Sequence, residues 1–315
     1  MSKVFHLSGV YVALPTPFGD QGRPEAGGLD PLLDDLLASG ITGFCLGGVT
    51  GEYAVCDVED RLQLFRHVAR RVAQRVPLIF GVSAEHSRQV RRMAEVAADL
   101  GAVAVLLAPP AYFYFQPPDL AEIIPQVARN LPLPVLLYHI PQFASDLGIA
   151  GILQLVQAEG NIVGIKDSSG RRTTLKQLAA AKHATDFTLM NGSDDLFLTG
   201  LKLGADGCIS GLSCIFPELI LGIYRAFQER DDQRAAPLQQ LVQELATAAG
   251  ELPTPWAVKI ALRVEGYPLD SLTWPLSARL AARAEEFRQW FQKWAPLARE
   301  RMPASNSSQH AKTTG

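Results

Sequence analysis

A lysine ends a short apolar stretch of the chain. Lys166 follows the residues IVGI at 162–165 and precedes Asp167. A charged side chain at the end of a buried strand is costly unless it is paired or neutral. Apolar surroundings disfavour the ammonium form, and a neutral amine can attack a carbonyl carbon to form a Schiff base. A salt bridge from Lys166 to Asp167 or to Glu52 is the structural alternative.

Tyr138 ends the preceding apolar stretch, VLL at residues 135–137. Because it comes one strand-and-helix unit before Lys166, we expect the two residues on neighbouring strands. A tyrosine hydroxyl beside a reacting imine can carry protons to and from it. A core tyrosine at a strand end is the alternative interpretation.

A glycine-rich turn, GGVTG at residues 47–51, follows another apolar stretch. It matches neither the dinucleotide-binding pattern nor the P-loop. Its unobstructed backbone N–H groups and the Thr50 hydroxyl suit a small anion such as a carboxylate. A tight turn without a ligand is the alternative.

Composition narrows the class of protein. The chain has 315 residues, of which 48% are hydrophobic and 19% charged, so it can bury a large core. Its formal charge of −3, without basic runs interleaved with aromatic residues, argues against a nucleic-acid partner and favours a small-molecule ligand. The six histidines lack metal-ligand spacing, and Asp194-Asp195 is interpreted as a helix N-cap. We therefore expect no metal and no cofactor.

The same sequence predicts a cytoplasmic protein. No apolar stretch approaches the roughly 20 residues of a membrane span. Pro15 and Pro17 interrupt the early apolar run, which argues against a signal peptide. The four cysteines have the spacing of neither a disulfide framework nor a zinc site.

Eight short apolar stretches recur along the chain and predict strands. They lie at residues 9–14, 41–46, 78–82, 103–107, 135–138, 162–166, 187–190 and 207–210. Helical patterns lie between them; in one, Asp57 with Asp60 predicts an N-cap, an apolar face runs to Val76, and Pro77 ends the helix. Apolar strands alternating with amphipathic helices favour a (β/α)8 TIM barrel, with an open doubly wound sheet as the alternative.

Beyond about Pro217 only helical patterns remain. An apolar stripe there predicts a C-terminal helix packed on the barrel or on another subunit. Its members are Leu280, Ala284, Phe287, Phe291 and Trp294. We therefore expect a barrel over residues 1–225, a helical C-terminal extension over 226–300 and a disordered tail over 301–315.

The motifs together resemble the dihydrodipicolinate synthase/N-acetylneuraminate lyase superfamily of class I, pyruvate-dependent aldolases. The resemblance extends from Val10 to about Trp294. It rests on GVTGE at 48–52, YHIP at 138–141, GIKD at 164–167 and GSD at 192–194. It implies a (β/α)8 barrel with a helical extension, a 2-keto acid substrate and a homotetramer assembled as a dimer of dimers.

The resemblance also implies residue roles. Lys166 resembles the Schiff-base lysine, Tyr138 the proton-relaying tyrosine, and Tyr112 the tyrosine that reaches across a dimer interface, with Tyr114 as the alternative. The implied substrate-binding residues are Gly48, Val49, Thr50, Phe143, Gly192 and Ile209.

Two residues depart from the family pattern. Most members carry a hydroxyl residue where this chain has Val49. The proton relay must then run through Thr50, a water or another group, or the proton step differs. Dihydrodipicolinate synthases have an arginine for the aldehyde's carboxylate where this chain has Phe143, which argues against that particular activity.

Three functions follow as expectations. The first is a lyase, aldolase or dehydratase that acts on pyruvate or a 2-keto-3-deoxy sugar acid through Lys166. The second is 4-hydroxy-tetrahydrodipicolinate synthase, which joins pyruvate and aspartate semialdehyde. The third is a non-catalytic barrel that binds a keto acid, an alternative that Val49 keeps open.

Overall fold

Eight parallel strands close into a barrel in the order of the sequence. The computed structural model describes residues 6–157, 160–269 and 271–302. Each strand pairs with the next, and the first pairs with the last. The strands are β1 (Gly9–Ala13), β2 (Gly43–Leu46), β3 (Leu78–Gly81), β4 (Ala104–Leu107), β5 (Val135–His139), β6 (Ile162–Asp167), β7 (Thr188–Asn191) and β8 (Gly207–Ser210). The predicted barrel is confirmed, and the open sheet is excluded.

Helices cover the outside of the barrel. They are α1 (Asp30–Ser39), α2 (Val58–Val72), α3 (Ser87–Asp99), α4 (Pro117–Ala128), α5 (Ile149–Gln157), α6 (Arg172–Lys182), α7 (Phe197–Leu203) and α8 (Pro217–Gln228). Three more follow: α9 (Asp232–Ala249), α10 (Trp256–Val264) and α11 (Ala278–Arg301).

Alternating side chains divide the core into two layers. On β5, Val135 and Leu137 pack outward against the helices, whereas Leu136 and Tyr138 belong to a separate cluster inside the barrel. This follows from the two-residue repeat of a strand. Because both faces are buried, each strand is a continuous apolar run.

Helix α2 begins as predicted and ends early. Asp57 caps it by accepting a hydrogen bond from the Asp60 N–H at 2.9 Å. The expected continuation to Pro77 is wrong: the helix stops at Val72, where Ala73 takes a left-handed conformation with φ 48°. Val76 packs against the core from the following loop instead.

The apolar stripe of α11 packs on the barrel. Phe291 and Trp294 lie edge-on to Phe216, the residue before α8, with ring centroids 6.1 and 5.4 Å apart. The division at residues 225 and 226 stays a prediction, and α8 runs across it. Of the tail predicted for 301–315, residues 303–315 lie outside the described part of the chain.

Candidate active site

Lys166 and Tyr138 are partners in adjacent strands. They face each other in the β5–β6 ladder, and Lys166 Nζ lies 4.3 Å from the centroid of the Tyr138 ring. Both are buried, with 4% and 3% of their surface exposed. The expectation of neighbouring strands is confirmed.

Both carboxylates that could have paired with Lys166 are engaged elsewhere. Asp167 Oδ1 lies 2.9 Å from His139 Nδ1, and Glu52 pairs with Lys259. Within residues 6–157, 160–269 and 271–302, no carboxylate forms an ion pair with Lys166. The salt bridge proposed as the structural alternative is therefore wrong.

The space beside Lys166 depends on glycine. A Cβ on Gly192, which directly follows β7, would lie 2.9 Å from Lys166 Cε and 1.9 Å from Ser168 Oγ. On β6 itself, a Cβ on Gly164 would lie 2.1 Å from the carbonyl oxygen of Thr188. Only glycine fits at either position without displacing its neighbours.

The turn after β2 lies beside the lysine. Val49 and Thr50 line the same cavity as Lys166 and Tyr138. Gly48 is not among the described lining residues, although a Cβ there would be 4.0 Å from Tyr138 Cε1. A Cβ on Gly211, after β8, would lie 3.2 Å from Thr50 Oγ1, so the hydroxyl lies close to the turn after β8.

A cavity of about 410 Å³ opens above the two strand-end residues, large enough for a small-molecule ligand. Five of the predicted substrate-binding residues line it: Val49, Thr50, Phe143, Gly192 and Ile209.

Sequence reasoning missed part of the cavity wall. Helices α9 and α10 and the segment between them supply Ala246, Ala249, Gly250, Thr254, Pro255, Ala257 and Val258. The sequence signal is the run of small residues at 246–250, which also fits an ordinary packed helix. Ser168 and Gln142 also line the cavity, and Ser168 Oγ is buried without a hydrogen-bond partner among the described residues.

The charges around the cavity are mostly negative. Of its described lining residues, Lys166 alone is cationic, and Asp194 and Asp195 are acidic. Burial raises the pKa of Asp194, opposed by hydrogen bonds from Ser210 and the Leu212 N–H and by the charge of Lys166. The predicted N-cap role of the Asp194-Asp195 pair is wrong: Leu196 is the N-cap of α7, and Asp194 Oδ2 instead accepts a hydrogen bond at 3.1 Å from Leu212 N, which follows the neighbouring strand β8.

A buried histidine lies just beyond the Tyr138–Lys166 pair. His139 Nε2 is 3.0 Å from Asp146 Oδ1, and its Nδ1 faces Asp167. Burial alone would lower the pKa of His139, but the hydrogen bonds to Asp167 and Asp146 outweigh it and raise that pKa. Arg171 in turn contacts Asp146 at 3.3 Å.

Tyr112 lies away from this cavity within the chain. It is 82% exposed, as is Tyr114, and neither is among the described lining residues. Glu85 fixes the segment by accepting hydrogen bonds from the N–H groups of Ala111 and Tyr112, both at 3.0 Å. The structure therefore does not bring Tyr112 together with Lys166 of the same chain.

No group of three or more metal-ligating side chains occurs in the part of the chain that the structure describes. Within the same residues, no helix is long and apolar enough to cross a membrane.

Comparison with known families agrees with this geometry. Residues 6–293 match the model of the Dihydrodipicolinate synthetase family. The chain belongs to this family.

Two curated relatives have different names within that family. The 4-hydroxy-tetrahydrodipicolinate synthase of Oceanobacillus iheyensis is 30% identical over 270 residues, covering 85% of this chain and 90% of that protein. The probable 2-dehydro-3-deoxy-D-pentonate aldolase YjhH of Escherichia coli K12 is 30% identical over 275 residues, covering 85% and 91%.

Solved structures of the family have the same fold. YagE, a prophage protein of E. coli K12 crystallised with pyruvate, has a TM-score of 0.84 at 27% identity, covering 91% of this chain and 98% of that chain. The 4-hydroxy-tetrahydrodipicolinate synthase of Methylacidiphilum fumariolicum SolV has a TM-score of 0.85 at 26% identity, covering 94% and 100%.

This member of the Dihydrodipicolinate synthetase family is a class I, pyruvate-dependent lyase. Its two departures from the sequence pattern both lie on the cavity wall. Val49 presents an apolar side chain there, and Phe143 lies half-exposed at the rim.

Proposed function

We propose that Lys166 forms an imine with the C2 carbonyl of pyruvate or of a 2-keto-3-deoxy sugar acid, and that the protein breaks or makes the C3–C4 bond. The observation that carries this proposal is the position of Lys166, buried at a strand end, facing Tyr138, and open to a cavity of about 410 Å³. A lysine in those surroundings is accessible to a substrate and is free of a direct ion pair, as a nucleophilic amine needs to be.

The reaction then proceeds through an enamine. The Lys166 amine adds to C2, and loss of water gives an iminium ion. Removal of the C4 hydroxyl proton breaks the C3–C4 bond, whose electron pair moves into the iminium to leave an enamine and an aldehyde. Protonation at C3 and hydrolysis release pyruvate and restore the amine.

Dehydration is the alternative reaction of the same iminium ion. Loss of a C3 proton gives an enamine that expels hydroxide from C4.

The remaining residues bind the keto acid and move protons. Tyr138 donates the proton that carries away the carbinolamine hydroxide and takes up the C4 hydroxyl proton. The Thr50 hydroxyl and the backbone N–H groups of Gly48 and around Val49 bind the carboxylate. Gly192 and Ile209 shape the floor of the site.

The cavity favours a second reaction partner without a carboxylate. Its single described cation, Lys166, is covalently bound to the keto acid in the proposed intermediate, beside that acid's own carboxylate. The described wall therefore offers no further cation to a second carboxylate, and Asp194 and Asp195 disfavour one. The unpartnered Ser168 hydroxyl offers a hydrogen bond to a substrate hydroxyl. These features support a neutral, hydroxyl-bearing aldehyde and weaken the 4-hydroxy-tetrahydrodipicolinate synthase alternative, which aspartate semialdehyde turnover tests directly.

The assembly and compartment are part of the same proposal. The exposed aromatic side chains of Tyr112, Phe113 and Tyr114 support a homo-oligomer, a dimer of dimers in which Tyr112 enters the neighbouring site. Four free cysteines, three of them buried, support a cytoplasmic location.

Intact mass spectrometry after incubation with pyruvate and sodium borohydride tests the function. We expect a reduced pyruvyl adduct on the wild-type protein and none on Lys166→Ala. Lys176→Ala removes an exposed lysine of α6 and should keep the adduct. A folded wild-type protein that binds pyruvate but forms no adduct would favour the non-catalytic keto-acid-binding barrel.

A further inference from the structure

A buried ion pair lies under the turn that carries Val49 and Thr50. Lys259 of α10 is fully buried and pairs with Glu52, which is 7% exposed. Lys259 Nζ also donates a hydrogen bond to the Ser271 carbonyl at 3.0 Å and lies 4.5 Å from the centroid of the Phe18 ring. Neither charged group takes part in the chemistry proposed above.

Keeping both charges away from water is unfavourable. Burial raises the pKa of Glu52 and lowers that of Lys259, and in each case the partner's charge opposes the shift. A well-packed apolar pair of similar volume often stabilises a fold as well as a buried ion pair does. Stability alone therefore gives a weak reason for this arrangement.

Glu52 also has an unusual backbone. Its φ of 52° and ψ of 39° lie in the left-handed region, which residues other than glycine seldom adopt. Its N–H closes the turn by donating to the Val49 carbonyl at 2.9 Å. Such a conformation persists only where the surroundings hold it. Two side chains contact Glu52 here. Lys259 forms an ion pair with it, and Thr273 Oγ1 donates a hydrogen bond to its Oε1 at 3.1 Å.

Helix α10 contributes both to the cavity wall and to the ion pair with Glu52. Ala257 and Val258 line the cavity, and the next residue, Lys259, reaches Glu52 beneath the turn. The helix that forms part of the cavity wall therefore also fixes the residue that closes the turn.

We propose that Glu52 and Lys259 are positioning residues, whose ion pair holds the turn at residues 48–52 in the shape that binds the substrate carboxylate. The proposal rests on the proposed function, because it assigns carboxylate binding to that turn. If the proposal is right, removing the ion pair lowers the affinity for the keto acid. This loss can be measured separately from any loss of fold stability.

Two variants separate the two effects. Lys259→Met leaves the Glu52 charge buried and unpaired, so both the melting temperature and pyruvate affinity should fall. The double variant Lys259→Met/Glu52→Gln carries no unpaired charge, and its melting temperature should recover most of that loss. Lys202→Met is the matched control, since it breaks an exposed pair with Asp232 on the outside of the barrel.

Borohydride trapping at varied pyruvate concentration measures the affinity at a temperature where all variants are folded. For the double variant we expect at least a tenfold rise in the half-saturating pyruvate concentration, with the adduct yield at saturation unchanged. Lys259→Arg, which keeps the charge, should lie between the double variant and the wild type. Half-saturation of the double variant within twofold of the wild type would overturn the positioning role.

Failure of the proposed function gives a different result. If the wild-type protein forms no adduct, calorimetric titration with pyruvate replaces trapping, and the tenfold weakening of the double variant is still expected. If the wild-type protein neither traps nor binds pyruvate, both proposals are wrong.

Discussion

His139 on β5 and Asp167 on β6 are joined side chain to side chain, with Nδ1 and Oδ1 2.9 Å apart, one position beyond the Tyr138–Lys166 pair of the same ladder. Asp167 Oδ1 also accepts a hydrogen bond from the Ser169 N–H at 3.1 Å. The pair therefore ties together the ends of the two strands that carry the candidate lysine and tyrosine.

The stability contributed by His139 should depend on pH. Its folded-state pKa is raised by Asp167 and Asp146, so the contribution is complete below the unfolded value of about 6.5 and is lost as pH rises through the folded value. Against His139→Asn, the wild-type protein should gain about 2 kcal/mol of unfolding free energy at low pH. Urea denaturation of both proteins at several pH values between 5.5 and 9 measures the difference.

The exposed His183 provides the control for that experiment. His183→Asn should differ little from the wild-type protein at any pH in the range. A His139→Asn difference that stays constant or grows with rising pH would show that the imidazolium is not the stabilising form.

Gly192→Ala should disable the lysine without unfolding the barrel. The added methyl group would lie 2.9 Å from Lys166 Cε and 1.9 Å from Ser168 Oγ, so the lysine side chain must move. A misplaced nucleophile commonly loses about 100-fold in rate. The rate of borohydride-trapped adduct formation with pyruvate measures the effect, alongside the melting temperature.

Gly27→Ala is the matched substitution, because its Cβ would meet no atom within 4 Å. It should keep the wild-type trapping rate. Equal trapping rates for Gly192→Ala and the wild-type protein would mean that Lys166 is not the reacting amine, or that it reacts from a different position.

The strands could be predicted from sequence because burial on both faces leaves a continuous apolar run. The stretch at 162–166 became β6, Ile162–Asp167, with one residue added. Once the barrel is accepted, its geometry brings the residues at the carboxyl ends of the strands to one face. That rule alone placed Lys166, Tyr138 and the turn at residues 47–51 together.

The wall from α9 and α10 could not be predicted in the same way. Ala246 and Val258 reach the cavity through the packing of two helices across the barrel mouth, and helical periodicity does not encode that placement. The same holds for Lys259, because helical periodicity does not encode its pairing with Glu52.

A cation at the cavity rim should change which aldehyde is preferred. Phe143 lines the cavity and is 49% exposed, so Phe143→Arg adds a positive charge where the described wall has none besides Lys166. The ratio of kcat/KM for aspartate semialdehyde to that for glyceraldehyde should rise about tenfold, equivalent to about 1.4 kcal/mol. Enzymatic condensation with pyruvate measures both values.

Leu297→Arg is the control for the added charge, because Leu297 is exposed on α11 away from the cavity. It should leave the ratio unchanged. A Phe143→Arg variant with the wild-type ratio would contradict the assignment of the rim as the site of the second substrate.

Mixing two inactive variants should restore activity if Tyr112 completes the site of a neighbouring subunit. Tyr112 is 82% exposed and lies outside the described cavity wall of its own chain, so Tyr112→Phe and Lys166→Ala damage different subunits' contributions. In randomly reassembled symmetric dimers, about a quarter of the sites would carry both native residues. Assays of unfolded, mixed and refolded protein measure the recovery. Activity no higher than that of the separately refolded variants would place the function of Tyr112 within its own chain or outside catalysis.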